Sequence, residues 1–180
     1  MSGVEADITE ILAPRLTQAG EVIAGDVADI LRPNKGHQKA KAAIEMAVLD
    51  AELRAGGINL HSRFGGTRPT LPSGVSVGIF SSIDALLSAV QGYVDDGYAR
   101  IKLKIEPGWD LEPVRLVREL IGPEMGLQVD ANTAYTRQDF GHLRQLAMYD
   151  LLRIEQPLDT DDLLGHRELA AAIETPVCLD

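Results

Sequence analysis

The chain has 180 residues, 45% of them hydrophobic and 24% charged, enough for one domain with a substantial core. Its net charge of −10 and pI near 4.8 argue against nucleic acid or an anionic membrane surface as partner. No apolar run approaches the roughly 18 residues of a membrane span. The opening MSGVEADITE has neither a basic region nor an apolar stretch, and Cys178 is the single cysteine, so no internal disulfide forms. A cytoplasmic location is the expectation.

Residues 1 to about 60 read as helical. Val4, Ile8, Ile11 and Leu12 share one face, which Pro14 is expected to end. An Ala-rich helix from Gln38 to Ala55 follows, with Gly56 and Gly57 as its stop signal. RFGGTRP and LPSG then supply turns, Gly65 and Gly66 among them.

From about Leu71 strands and helices alternate. SGVSVGI is the first strand, and Ser82 caps a helix carrying Leu86, Val90 and Val94 that Gly97 closes. ARIKLKI is the second strand, followed by an Asp110-capped helix that ends at Gly122. GLQVDA is the third, with Thr136 and Asp139 opening the next helix. DLLRI is the fourth, then a helix from near Thr160 with Asp161 and Asp162 in its first turn, read as capping and not catalytic. TPVCLD is the fifth, with Cys178 read as a small core residue. Strands alternating with helices imply a parallel sheet with right-handed crossovers. A doubly wound sheet and a (β/α)8 barrel both fit. The barrel is preferred, because charged residues stand at the ends of consecutive strands and no glycine-rich phosphate loop is present.

Those ends are Lys104, Asp130, Glu155 and Asp180, separated by 26, 25 and 25 residues. Equivalent positions on successive strands return to one rim, so one base and three acids converge. Three carboxylates in register suit Mg2+, whose hard oxygen ligands sit about 2.0–2.1 Å away. Without a cation they repel, and one has to protonate. The competing reading is acids that merely face solvent. Lys102 and Lys104 point to one side of their strand, with Ile101, Leu103 and Ile105 on the other. Two inward lysines are expensive unless they meet anions, and a lysine beside a metal and a second cation suits general base chemistry. The alternative is an exposed edge strand with its lysines in water. His37, His61, His142 and His166 show no metal-ligand spacing and read as surface or packing residues, and Trp109 as a packing anchor at the rim.

The order KLK, VDAN, IEQP and CLD resembles the enolase superfamily, in particular its muconate-lactonizing subgroup. EPGWDLEPVRLVRE, QVDANTAYT, RIEQPL, LGHRELA and TPVCLD are similar to o-succinylbenzoate synthases and N-acylamino-acid racemases. The resemblance implies a helical remnant of an α+β capping domain over residues 1–65. It implies about five of eight strands of a TIM-type barrel over 66–180, in a chain truncated at both ends. By position, Asp130, Glu155 and Asp180 become ligands of Mg2+ or another divalent cation such as Mn2+. Lys104 becomes the acid/base at the substrate α-carbon and Lys102 a cationic neighbour, with Asn132 near the metal shell. The implied reaction removes the proton α to a carboxylate through an ene-diolate. It leads to dehydration in menaquinone biosynthesis or to racemisation of a small-molecule carboxylate, in a parent compatible with a homo-oligomer. Dipeptide epimerase and cycloisomerase activities of the same subgroup are the alternative. The family's second lysine is expected beyond residue 180, so the chain alone is expected to be inactive, a non-catalytic barrel fragment.

Overall fold

The computed structural model describes residues 2–180, which form two compact units, one up to Thr70 and one from Leu71 to Asp180. In the first unit α1 (Ser2–Ala6), a π-helical stretch (Asp7–Leu12) and α2 (Ala13–Ala19) run on without a break. Pro14 therefore does not end the helix. It stands just past the π-helical stretch, where Ala13 N–H bonds to Ile8 O, and the helix continues over it to its stop, Gly20 at φ 85°. Two further helices, α3 (Ala24–Leu31) and α4 (Gln38–Gly56), bury Leu12, Val27, Leu31 and Ala40 with their neighbours. Gly57, left-handed at φ 62°, closes α4, and a short α5 (Leu60–Arg63) follows.

The second unit holds five parallel strands in the order β1-β2-β3-β4-β5: β1 (Gly74–Val77), β2 (Arg100–Lys104), β3 (Gly126–Asp130), β4 (Ile154–Glu155) and β5 (Val177–Cys178). Spatial order follows chain order with no reversal. A doubly wound sheet needs a reversal at its switch point, whereas successive strands of a (β/α)8 barrel add to one side. The sheet is thus part of such a barrel.

The outer face explains the helices. Val77, Leu103, Val129 and Ile154 form a register row, with Ile101 and Leu127 one layer below, and all are buried. Against them pack α6 (Ile83–Asp95) through Leu86 and Val90, and α7 (Leu111–Ile121) through Val114 and Val117. Ser82 Oγ accepts from Ala85 N–H at 3.2 Å and caps α6. Asp110 accepts from Leu111 N–H at 2.6 Å and opens α7.

Two segments depart from expectation. The stretch after β3 is a 3-10 turn (Arg137–Asp139), a single turn α8 (Phe140–Leu143) and a second 3-10 stretch (Arg144–Tyr149) instead of one regular helix. The last helix, α9, spans Leu163–Ala172. Asp162 is its N-cap, accepting from Gly165 N–H at 2.9 Å, so its capping role holds while neither Asp161 nor Asp162 lies in the first turn. Among the described residues no helix is long and apolar enough to cross a membrane.

Candidate active site

The inner face of the sheet is polar in successive layers. Lys102 and Gln128 are register partners, and one layer higher Lys104, Asp130, Glu155 and Cys178 form a row. Cys178 is half-buried in this row, so it belongs to the polar face and not to the core beneath the helices. Alternation along RIKLKI produces the split: Ile101, Leu103 and Ile105 are buried outward, and the lysines turn inward.

The two lysines and two acids meet. Lys104 Nζ donates to Asp130 Oδ2 at 2.6 Å and to Asn132 Oδ1 at 2.6 Å. Lys102 Nζ reaches across β3 to Glu155 Oε1 at 2.7 Å and lies 3.1 Å from Asp130 Oδ2. Asp130 is 1% exposed and also accepts from Asn132 N–H at 3.1 Å. Burial pushes its carboxyl upward, but the two ammonium groups and the Asn132 amide outweigh this and hold it below the usual carboxylate range. Lys102 is pushed above its ordinary value, chiefly by its hydrogen bond to Glu155, against the opposing effect of burial.

Asn132 and Thr133 follow β3 in left-handed conformations, φ 42° and 69°. This turn carries the Asn132 side chain back to Lys104. It is fastened to the end of β4 by Ala131 N–H to Glu155 O (3.0 Å), Thr133 N–H to Gln156 O (2.8 Å) and Tyr135 N–H to Pro157 O (3.0 Å).

Asp180 stands apart from the acid pair. The register partner of Glu155 is Cys178, two residues earlier, and Asp180 is exposed, tied in through its backbone N–H to Gln156 Oε1 at 2.8 Å. Among the described residues no three Asp, Glu, His or Cys side chains gather closely enough to hold an ion. In their place the ammonium groups of Lys102 and Lys104 neutralise Asp130 and Glu155. The donor chemistry nevertheless fits a hard divalent cation: two carboxylates side by side at strand ends, an amide oxygen on Asn132, and a third carboxylate, Asp180, two residues past the end of β5.

Two clusters carry no motif in the sequence. Asp110, 5% exposed, accepts from Tyr135 Oη–H at 2.8 Å and lies 2.7 Å from His142 Nε2. His166 is buried under the turn after β4, with Nδ1 2.8 Å from Asp162 O and Nε2 3.3 Å from Leu158 N. The spacings of His142 and His166 gave no sign of these partners, which come from separate strand-to-helix turns. Trp109 packs against the sheet core, and its backbone bridges to Glu106.

A polar inner face on a barrel sheet, with two lysines opposed to acids at consecutive strand ends, defines a protein of the enolase type. The family description "Enolase C-terminal domain-like" matches residues 85–180, and the chain belongs to that family. It is 54% identical to an N-succinylamino acid racemase from Amycolatopsis sp. over 99% of this chain and 48% of the relative. To an o-succinylbenzoate synthase from Enterococcus faecalis it is 44% identical over 86% of this chain and 42% of the relative. A solved enolase superfamily member from Listeria innocua superposes with a TM-score of 0.87 at 38% identity, covering 99% of this chain and 48% of that one. The chain thus spans about half the length of the curated relatives it matches.

Proposed function

We propose that this sequence supplies the base-bearing half of an enzyme that removes the proton α to a carboxylate through an ene-diolate. The expected activity is o-succinylbenzoate synthase or N-acylamino-acid racemase. The observation that carries the reading is the Lys102–Lys104–Asp130–Glu155 cluster, in which two cations and two anions share one rim. Residues 1–65 would contribute the helical part of a capping domain, and 66–180 the first five barrel strands.

Asp130, Glu155 and Asp180 would hold a Mg2+ or another divalent cation, with Asn132 beside it. When bound, such an ion supplies positive charge to the substrate carboxylate as its α-proton leaves. Lys104 Nζ is the group that takes the proton, which it does as the neutral amine, after first releasing its own ammonium proton. The bonds that Lys104 makes to Asp130 and Asn132 aim its nitrogen along the rim before substrate arrives. Lys102 keeps a fixed positive charge there, since Glu155 and Asp130 both favour its protonated form. Its role is to bind and orient an anionic substrate.

The test is α-proton exchange in deuterium oxide by the complete enzyme containing this sequence. With an N-succinylamino acid as substrate, Lys104→Ala is expected to abolish exchange, and Lys102→Ala to raise KM more than it lowers kcat. Undiminished exchange in Lys104→Ala would remove Lys104 from the chemistry.

A further inference from the structure

Gln156 is a buried residue, 3% exposed, with a left-handed backbone at φ 37°. Such a conformation costs a non-glycine residue on the order of 1–3 kcal/mol and persists only where its surroundings enforce it. Glycine would adopt it freely, so the side chain itself needs a reason.

The hydrogen bonds provide one. In a parallel ladder a residue donates its N–H to one residue of the neighbouring strand and accepts at its C=O from the residue two further on. Gln156 N–H does donate to Cys178 O, at 2.8 Å. Its C=O, however, is turned by the left-handed backbone towards the β3 side, where it accepts from Thr133 N–H at 2.8 Å. The partner that this carbonyl abandons is Asp180 N–H, and Gln156 Oε1 takes it, at 2.8 Å. The side chain thus replaces its own backbone acceptor.

The amide is fixed from its other end. Nε2 donates to Leu158 O at 3.1 Å and lies 3.4 Å from His166 Nε2. His166 Nδ1 faces a carbonyl, Asp162 O, and therefore carries the ring proton, leaving Nε2 as acceptor for Leu158 N–H and the glutamine amide. Both ends of the Gln156 amide are thereby assigned.

We infer that Gln156 is a positioning residue: its side-chain amide holds the backbone of Asp180 at a fixed place relative to Glu155, so that both acids address one divalent cation. This rests on the metal-site reading proposed above. Glycine at 156 would satisfy the backbone and lose the device.

The experiment measures Mn2+ binding to the complete enzyme containing this sequence by calorimetry, and separately the exchange protection of the Asp180 amide by NMR without metal. Gln156→Gly is expected to weaken Mn2+ binding about 10–100-fold, the range for groups that orient ligands. It should also expose the Asp180 amide to exchange. In an Asp180→Asn background the same substitution should cost no further affinity. Wild-type Mn2+ affinity in Gln156→Gly would overturn the inference. If wild type and Asp130→Asn alike bind no Mn2+, the metal-site reading fails by itself. The amide then decides on positioning: unchanged protection in Gln156→Gly rejects it, and lost protection upholds it.

Discussion

Lys104 and Asp130 are register partners on adjacent strands, and their side chains meet at 2.6 Å, with Lys102 3.1 Å away on the same oxygen. Asp130 is almost wholly buried while the lysine side chains keep a quarter to a third of their surface. The carboxylate therefore depends on the lysines more than they depend on it. Either Lys→Met substitution leaves one ammonium in place and is expected to cost about 1–2 kcal/mol. The double substitution leaves a buried charge unpaired and should cost more than the sum, about 3–5 kcal/mol. Urea midpoints of the four variants in the cycle check this, and strict additivity would show the lysines acting independently on Asp130.

The same pairs set the pH range of stability. Asp130 is depressed when folded, so its contribution is present above the unfolded carboxyl value near 4 and is lost as pH falls through the folded one. Asp162, held down to about 2 by Arg137 and the Gly165 amide, acts in the same direction. Lys102 is raised, so its contribution is complete below the unfolded value near 10.5 and is lost as pH rises through the folded one. Melting temperature should therefore be level from about pH 5 to 9 and fall on both sides. Asp130→Asn should flatten the acid limb selectively.

What the sequence made legible was whatever depends on periodicity. The period-2 alternation of Lys102 and Lys104 against Ile101, Leu103 and Ile105 predicts the inward lysines, and the spacing of strand ends predicts the rim. Register is another matter. That Lys102 reaches over β3 to Glu155 depends on strand offsets, which no local pattern specifies. The offset also keeps Asp180 out of the acid pair, since Glu155 aligns with Cys178. Gln156 reads as an ordinary turn residue in IEQP, because a left-handed glutamine has no sequence signature.

Gln128 lies under the charged row, 5% exposed, and its Oε1 has no hydrogen-bond partner among the described residues. An unpaired buried carbonyl of this kind costs about 1–3 kcal/mol. Gln128→Met, similar in volume and free of that penalty, is expected to raise stability by about 1 kcal/mol in thermal or urea unfolding. A loss of stability would mean that the amide oxygen is satisfied by an ordered water.

Asp110 ties the turn after β2 to the turn after β3. One carboxylate accepts from Leu111 N–H, accepts from Tyr135 Oη–H and lies against His142 Nε2, with the Tyr135 and His142 rings stacked 6.4 Å apart. Burial, then the bond to Asp110, pushes the Tyr135 hydroxyl well above the normal phenol range. Its proton is thus retained in the fold, and the stabilisation is present below the unfolded value near 10 and lost as pH rises through the folded one. Tyr135→Phe removes a bond to a charged group and should cost about 1.5–3 kcal/mol. An ultraviolet phenolate titration gives an independent readout. Tyr135 should ionise only as the chain unfolds in alkali, so the slow, unfolding-linked part of the absorbance change should shrink by one phenol in Tyr135→Phe. An unchanged amplitude in that variant would show that the Tyr135 hydroxyl is not protected, leaving Asp110 to be held by His142 and the α7 amide.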